Sequence, residues 1–384
     1  MEDGAAAYHS PRRCYSLAAM RDLAALLLLG LGLAGAAAAQ VSPPLPIGLD
    51  GEHGFGAATL GNDVLFDGID FSTFRLQVQT VLGADSIREV GDLRPGDPVE
   101  KIDFEDLDAT VLGAVMLVIP TDTNAHAAYT SAEMDAIRAF VTAGGGLIVL
   151  AEGGGGSQVD NLNELVLPWG VGFAAAAADC TGADAIPVDH LLTAQVATIG
   201  VDCHRPISFM TGSSALDLTA SGPEVLAAIE GAPGEGNVVF LSDSTLWKDT
   251  ISRGDRNIFT NDNLVLLRNA VQFAYRFPDT DTDLLFDAND NCMLVANRDQ
   301  HDVDGDGCGN ICDCDFDQNG VCGASDLSTL RACPFGQQLP VTGPPEDPFC
   351  TEVDMDGNLV VGSGDLSLFR LGFGRPPGPG VGCP

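Results

Sequence analysis

The stretch YTSAEMDAIRAFVTAGGGLIVLAE, residues 129–152, decides the fold. Thr130 stands three residues ahead of Glu133, the spacing at which two side chains cap each other's orphan backbone N–H groups at a helix start. Met134, Ile137 and Val141 recur at helical intervals and give that helix one apolar face. Gly144 can adopt the left-handed conformation that ends a helix. LIVLAE then reads as the next strand.

Outward from this unit the alternation repeats. Before it, PIGLDGEHGFG follows the stiff linker VSPPLP (41–46) and reads as a strand emptying into a glycine-rich loop; AVMLVIPTD (114–122) has no polar interruption before Pro120, as in a strand buried on both faces. After it come a helical NLNELVLPWGV, a strand NVVFLSDS (237–244) and a closing helix DNLVLLRNAVQFAY with Leu264, Leu267, Val271 and Ala274 on one stripe. This order predicts an α/β domain with a mostly parallel, flavodoxin-like sheet and helices on both faces. Ligands of such sheets sit beyond the carboxyl ends of the strands. Those ends carry Asp50, Glu52 and His53, then Asp122, Glu152, and Asp243 with Ser244. Asp50, Glu52, His53, Glu152 and Asp243 are therefore candidates for a polar pocket, the alternative being that they cap turns and helix starts.

From about Pro46 to Phe277 the order of elements, with FVTAGGGLIVLAEGGGG followed by NLNELVLPWGVGF, resembles the class I glutamine amidotransferase-like superfamily. Within it the segment is similar to the non-catalytic branch that includes the intraflagellar-transport GIFT domain. Catalytic members of that superfamily carry a cysteine nucleophile on the turn after the central strand. Here that turn is Glu152-Gly153-Gly154-Gly155-Gly156-Ser157, without cysteine, and neither G-x-S-x-G nor H-E-x-x-H occurs in the chain. Amide hydrolysis through a thiolate needs a low-pKa cysteine beside a base, so the resemblance implies the fold without the chemistry.

Acidic residues outnumber Lys and Arg by 54 to 18, a net charge of -36, which repels a phosphate backbone and excludes a nucleic-acid partner. Hydrophobic residues make up 45% of the chain, enough for much of it to fold. At the other end, MRDLAALLLLGLGLAGAAAAQ has an arginine, a Leu/Ala/Gly run from Leu23 to Ala39 and small residues before Gln40, the pattern of a secretory signal over residues 1–39, with Met20 as an alternative start. The apolar run is too short to span a bilayer, so no transmembrane segment is expected after cleavage. Exported chains carry disulfides. Cys180 and Cys203 lie far from the other cysteines and are expected to pair; the eight between Cys292 and Cys383 allow 105 pairings.

The composition changes at Pro278. From Asp279 to Pro384 there are nineteen acidic residues and four arginines, and the aspartates fall into four frames of twelve: DTDTDLLFDAND (279–290), DVDGDGCGNICD (302–313), DFDQNGVCGASD (315–326) and DMDGNLVVGSGD (354–365). Each has Asp at positions 1, 3 and 12 and Asp or Asn at 5. Calcium takes six to eight oxygens at ~2.3–2.6 Å, and a chain wrapped around it offers alternate side chains, a carbonyl at 7 and a carboxylate at 12. The candidate ligands are Asp279, Asp281, Asp283, Asp287 and Asp290; Asp302, Asp304, Asp306, Cys308, Asn310 and Asp313; Asp315, Asp317, Asn319, Val321 and Asp326; and Asp354, Asp356, Asn358, Val360 and Asp365. Gly307 and Gly320 at position 6 permit the bend; Leu284 and Leu359 in the outer frames predict a wider one and weaker sites. Asp at 12 is shorter than the usual Glu, which favours extracellular affinities with Kd ~10⁻⁴–10⁻³ M.

Residues 290–313, DNCMLVANRDQHDVDGDGCGNICD, resemble a thrombospondin type 3 repeat, through Asp290-Asn291-Cys292, Asn297 to Gln300 and Asp302 to Gly309. The resemblance implies a calcium wrap with little regular structure and makes Cys292 and Cys312 disulfide cysteines. Residues 315–373 resemble a dockerin type I domain, a duplicated calcium loop and helix of EF-hand type, with DLS after each loop and Leu327, Leu330, Leu366 and Phe369 on the helices. Dockerins dock onto cohesins partly through positions 10 and 11, here the small and dissimilar pairs Ala324-Ser325 and Ser363-Gly364.

The expected organisation is a leader at 1–39, an α/β domain at 40–278, a thrombospondin-like repeat at 279–313, and a dockerin-like domain with a Pro/Gly-rich tail at 314–384. The expected function is that of a secreted or cell-surface, non-catalytic calcium-binding protein, whose partners are calcium and a cohesin-like protein or cell-surface polysaccharide. The alternative is a secreted polysaccharide-acting hydrolase using Asp50, Glu52, His53 or Glu152; a plain spacer is a third reading.

Overall fold

Why three glycines stand together at 144–146 is visible in the turn they make. Helix Ser131–Thr142 begins with the capping box of Thr130 and Glu133, both hydrogen bonds formed. Gly144 ends it at φ +104°; a Cβ on Gly145 would lie 2.2 Å from the Phe140 ring, and one on Gly146 would lie 2.3 Å from the Ala274 carbonyl. The chain thus turns under its own helix and enters the central strand with no room for side chains. A computed structural model describes residues 44–50, 72–91, 102–118, 128–151, 159–176, 182–202, 204–243, 245–247, 257–339 and 348–383.

The central sheet has seven strands: β1 (Ile47–Asp50), β2 (Ile87–Val90), β3 (Ala114–Val118), β4 (Gly146–Leu150), β5 (Leu216–Asp217), β6 (Leu226–Ile229) and β7 (Val238–Leu241). Their order is β2-β1-β3-β4-β7-β6-β5. The first five are parallel, in the doubly wound arrangement, and the last two add an antiparallel edge. Alternate residues of each strand feed two cores. Leu49, Met116, Ile148 and Val239 pack with helices Ser72–Leu82 and Asn263–Ala274. Val115, Leu117, Val149 and Phe240 pack with helices Ser131–Thr142 and Val159–Val166 on the opposite face. The α/β class and the mostly parallel sheet are therefore as expected.

Three details differ from the sequence expectation. NLNELVLPWGV is helical only to Trp169, ending through a short 3-10 turn, and Val171 already belongs to a strand. The closing helix buries Leu266 and Ala270 as well as Leu267, Val271 and Ala274, while Leu264 is only partly covered. Between Val171 and Ser221 five short strands form small antiparallel pairings beside the main sheet.

Residues 43–384 form one compact unit. The acidic segment joins the α/β body through Phe286, buried in the helix Asn263–Ala274 core, and through reciprocal hydrogen bonds between the Gln272 and Asn289 side chains. Arg298 adds an exposed 2.7 Å pair with Asp189. Farther on, helices Ala324–Ala332, Pro348–Val353 and Ser363–Gly372 surround a small core of Phe316, Leu330, Leu339, Val353, Met355, Val361 and Phe369. No helix among the described residues is long and apolar enough to cross a membrane.

Candidate metal centres

At the carboxyl end of the sheet, Asp50 and Asp243 are both fully buried. Tyr129 donates its hydroxyl to Asp50 at 2.5 Å, and burial beside that carboxylate pushes the phenol well above its ordinary pKa. Asp243 accepts from the Asp202 backbone N–H at 2.7 Å. Strand order separates β1 from β7 by three inter-strand steps, roughly 14 Å at the usual spacing. The two carboxylates thus hold local structure at separate places along the edge. Glu52, His53, Asp122, Glu152 and Ser244 lie outside the described residues, as do Cys180 and Cys203.

The four aspartate loops share one backbone device. Position 6 is left-handed in every loop, at φ +75° for Leu284, +97° for Gly307, +88° for Gly320 and +65° for Leu359. Its N–H donates to the position-1 carboxylate each time: Leu284 to Asp279 at 3.1 Å, Gly307 to Asp302 at 3.0 Å, Gly320 to Asp315 at 2.5 Å, and Leu359 to Asp354 at 2.7 Å. The wider bend expected for the leucine loops is therefore not found. Leucine enters the conformation glycine prefers, because the latch to position 1 demands it.

Beyond the latch the loops form two pairs. In loops one and two the carboxylates at positions 1, 3 and 5 converge, Asp279, Asp281 and Asp283 in one and Asp302, Asp304 and Asp306 in the other. In loops three and four positions 1, 3 and 12 converge, as Asp315, Asp317 and Asp326 and as Asp354, Asp356 and Asp365. Within each group one oxygen per residue lies within 4.8 Å of the others, about twice a calcium–oxygen distance of ~2.4 Å, so one ion could touch all three. Asp326 and Asp365 also accept from the N–H groups of positions 3 and 9, which closes the loop and starts the following helix.

Position 12 behaves differently in the first two loops. Asp290 accepts from the Cys292 N–H and the Gln300 side chain, both at 2.8 Å, and Asp313 accepts from the Asp315 N–H. At position 9, Asp287 takes both hydrogen bonds of Thr280, and Asn310 accepts from the Val303 N–H at 2.9 Å. Cys308, Val321 and Val360 at position 7 have only a backbone carbonyl to offer, while at position 5 the Asn319 side-chain amide donates to Asp317 and the Asn358 backbone N–H donates to Asp356. Asn297 and Gln300 knit loop one to the segment that follows it: the Asn297 N–H donates to Asp283 and the Gln300 amide to Asn297.

Electrostatics test whether these sites fit a cation. Burial and neighbouring aspartates push Asp281, Asp290, Asp306 and Asp354 above the usual carboxylate range, and Asp313 up to about 7. Asp354 is 2% exposed and its Oδ1 has no hydrogen-bond partner; Asp281 Oδ2 is likewise buried without one. Carboxylates only accept when ionised, so a converging group of them cannot satisfy itself. A hard cation with oxygen coordination supplies what is missing, and the donor chemistry fits calcium.

Glu352 belongs to no frame, yet burial and the charges of Asp304, Asp313 and Asp306 push it up to about 7. Sequence spacing could not find it, because it is brought to loop two by the fold.

Disulfides bracket the loops: Cys292–Cys312, Cys308–Cys383, Cys314–Cys322 and Cys333–Cys350. Cys292 and Cys312 pair as the resemblance implied, and the extra Cys308 takes the last cysteine of the chain. That bond folds the Pro/Gly-rich tail back over loops one and two, where the Val381 N–H donates to the Asp290 carbonyl at 2.7 Å. Between the two loop-following helices runs an apolar groove of ≈ 490 Å³. Leu327, Leu330 and Arg331 line it from one copy; Leu366, Phe369 and Arg370 line it from the same positions of the other.

No family model and no curated protein matches the chain. Among solved structures it is similar to the mmIFT52 N-terminal domain, at 14% identity and a TM-score of 0.44, over 60% of this chain and 97% of that one. It is also similar to a ThuA-like protein from Bacteroides uniformis, at 14% identity and a TM-score of 0.38, over 62% and 95% of the two chains. A ThuA-like protein from Parabacteroides merdae follows at 11% identity and a TM-score of 0.35, over 60% and 90%.

Proposed function

We propose that this chain is a secreted or cell-surface, non-catalytic calcium-binding protein, in which an amidotransferase-like α/β domain presents or binds a ligand and a calcium-stiffened segment attaches it. The observation that carries the reading is the fourth loop. There Asp354 is buried with an unpartnered oxygen among two further carboxylates, an arrangement that costs stability unless a cation fills it. Loops one and two are read as a thrombospondin type 3-like wrap, and loops three and four as a dockerin-like pair. The groove lined by repeat-related positions is read as the attachment face, toward a cohesin-like protein or a cell-surface polysaccharide.

The chemistry asked of each ion is structural. Calcium bound to the native loops and not to the unfolded chain adds about 1.4 kcal/mol per site at ten times Kd. Residues with so little apolar surface need that contribution together with the disulfides. Asp50 and Asp243, three strands apart and each hydrogen-bonded, do not form with each other a pair of acid and base carboxylates, which sit ~5–9.5 Å apart. Equilibrium dialysis of the chelator-stripped full chain tests the proposal. Several calcium ions per chain with submillimolar to millimolar Kd are expected, whereas no bound calcium at millimolar free concentration would sink it.

A further inference from the structure

At the amino edge of the sheet, opposite Asp50 and Asp243, a pocket of ≈ 280 Å³ opens between the β6–β7 turn and the end of helix Asn263–Ala274. Its apolar floor is Leu191, Phe273, Phe277 and Phe286, the last contributed by the acidic segment. Two charged side chains share the lining, Glu230 and Arg276, and each is held from one side only. His190 Nδ1 accepts from the Leu192 N–H at 3.0 Å, so the ring proton sits on Nε2 and is donated to Glu230 Oε1 at 3.1 Å. The Phe273 ring packs against that imidazole, with centroids 5.4 Å apart. Arg276 stands at φ +54°, and its Nη1 donates to the Ala232 and Glu235 carbonyls at 3.1 and 2.5 Å. Buried Asn237 ties the two walls together, accepting from the Gly231 N–H at 3.0 Å and donating to the Phe273 carbonyl at 2.8 Å.

A guanidinium carries five N–H donors in a planar fork. Nη1 spends its two on the turn. The Nε–Nη2 edge, the geometry that grips a carboxylate through two parallel hydrogen bonds, has no acceptor among the described residues. Glu230 Oε2 has no donor there either, and Glu230 and Arg276 do not pair with each other. In a chain of net charge -36 this arrangement selects its ligand. A simple anion would meet Glu230 and the surrounding negative field, and a simple cation would meet Arg276. A zwitterion satisfies both, while the phenylalanine floor takes an apolar group. We propose that the pocket binds a free α-amino acid with an apolar or aromatic side chain. Its carboxylate lies on Arg276, its ammonium on Glu230 and its side chain against Phe273, Phe277 and Phe286. This rests on the reading of the α/β domain as a ligand binder and on none of the calcium sites.

The test is isothermal titration calorimetry of the full, disulfide-intact chain in millimolar calcium with three compounds: L-phenylalanine, 3-phenylpropanoate, which lacks the ammonium, and 2-phenylethylamine, which lacks the carboxylate. One L-phenylalanine per chain is expected. Each truncated compound should bind at least about tenfold more weakly, because each loses hydrogen bonds between charged groups. E230Q keeps an acceptor for His190 and removes the charge. It is expected to weaken L-phenylalanine by about tenfold or more and to leave 3-phenylpropanoate as tight as before or tighter. Absence of L-phenylalanine binding at millimolar concentration would overturn the inference. Equal affinities for the three compounds would do so too, since the apolar floor alone would then be binding, and this wild-type series decides the matter if E230Q fails to fold. Loss of L-phenylalanine and 3-phenylpropanoate alike in a folded E230Q would make Glu230 a structural residue and also overturn it. Calcium binding without L-phenylalanine binding removes this inference alone; L-phenylalanine binding without calcium binding removes the calcium reading alone.

Discussion

At the scale of single residues, the loops depend on backbone conformations and on the absence of atoms. Gly320 sits at φ +88° with nothing within 4 Å of a Cβ position, so Gly320→Ala isolates the conformational cost. That variant is expected to lose about 1–2 kcal/mol in denaturant unfolding, the usual penalty for a left-handed L-residue. Gly364 has a different reason to be small. A Cβ there would lie 2.1 Å from the Asp356 carboxylate, so Gly364→Ala should displace that ligand and weaken calcium at loop four without altering loop three. Site-resolved titration, for instance by the chemical shift of the loop amides, checks this. The small residue at position 11 thus has a local cause, which a comparison of docking positions alone does not reveal.

Individual elements explain how much was legible. Helix Ser131–Thr142 could be read because its cap, apolar face and glycine stop all agree, and the following strand because five buried residues run without interruption. Helix Ser72–Leu82 carries its burial on Phe74, Val78 and Leu82 alone, too sparse a stripe among Thr, Gln and Arg to stand out. The strands between Val171 and Ser221 are two to five residues long, shorter than the period that would announce them. The four acidic frames were legible as spacing, since carboxylates that converge within one loop are local in sequence. Glu352 was not, because helix Pro348–Val353 brings it to loop two across the fold. Phe286 was hidden for the same reason: within an acidic frame it looks like a stray aromatic, yet it is 1% exposed in the α/β core. Phe286→Ala is expected to destabilise the chain by about 3–5 kcal/mol in thermal or denaturant melts, as for large core truncations. A surface linker would lose nothing measurable.

The whole molecule concentrates like charge where cations are expected, and its stability should therefore respond to pH in opposite ways with and without them. In the calcium-free chain Asp313 and Glu352 are raised to about 7, from ordinary values of 3.8 and 4.5. A carboxylate raised on folding binds its proton more tightly in the native state, so its contribution is fully present below the unfolded value and is lost as pH climbs through about 7. The melting temperature of the stripped protein should fall from about pH 5 to about pH 8. With calcium the dependence should invert, because ligands must be deprotonated to bind. The most direct measurement is the thermal melt of the full chain near neutral pH, in chelator and again in millimolar calcium. A clear upward shift with calcium, of the size several sites at about 1.4 kcal/mol each would produce, is the expected result. Coincident melts and unchanged circular dichroism would contradict the account.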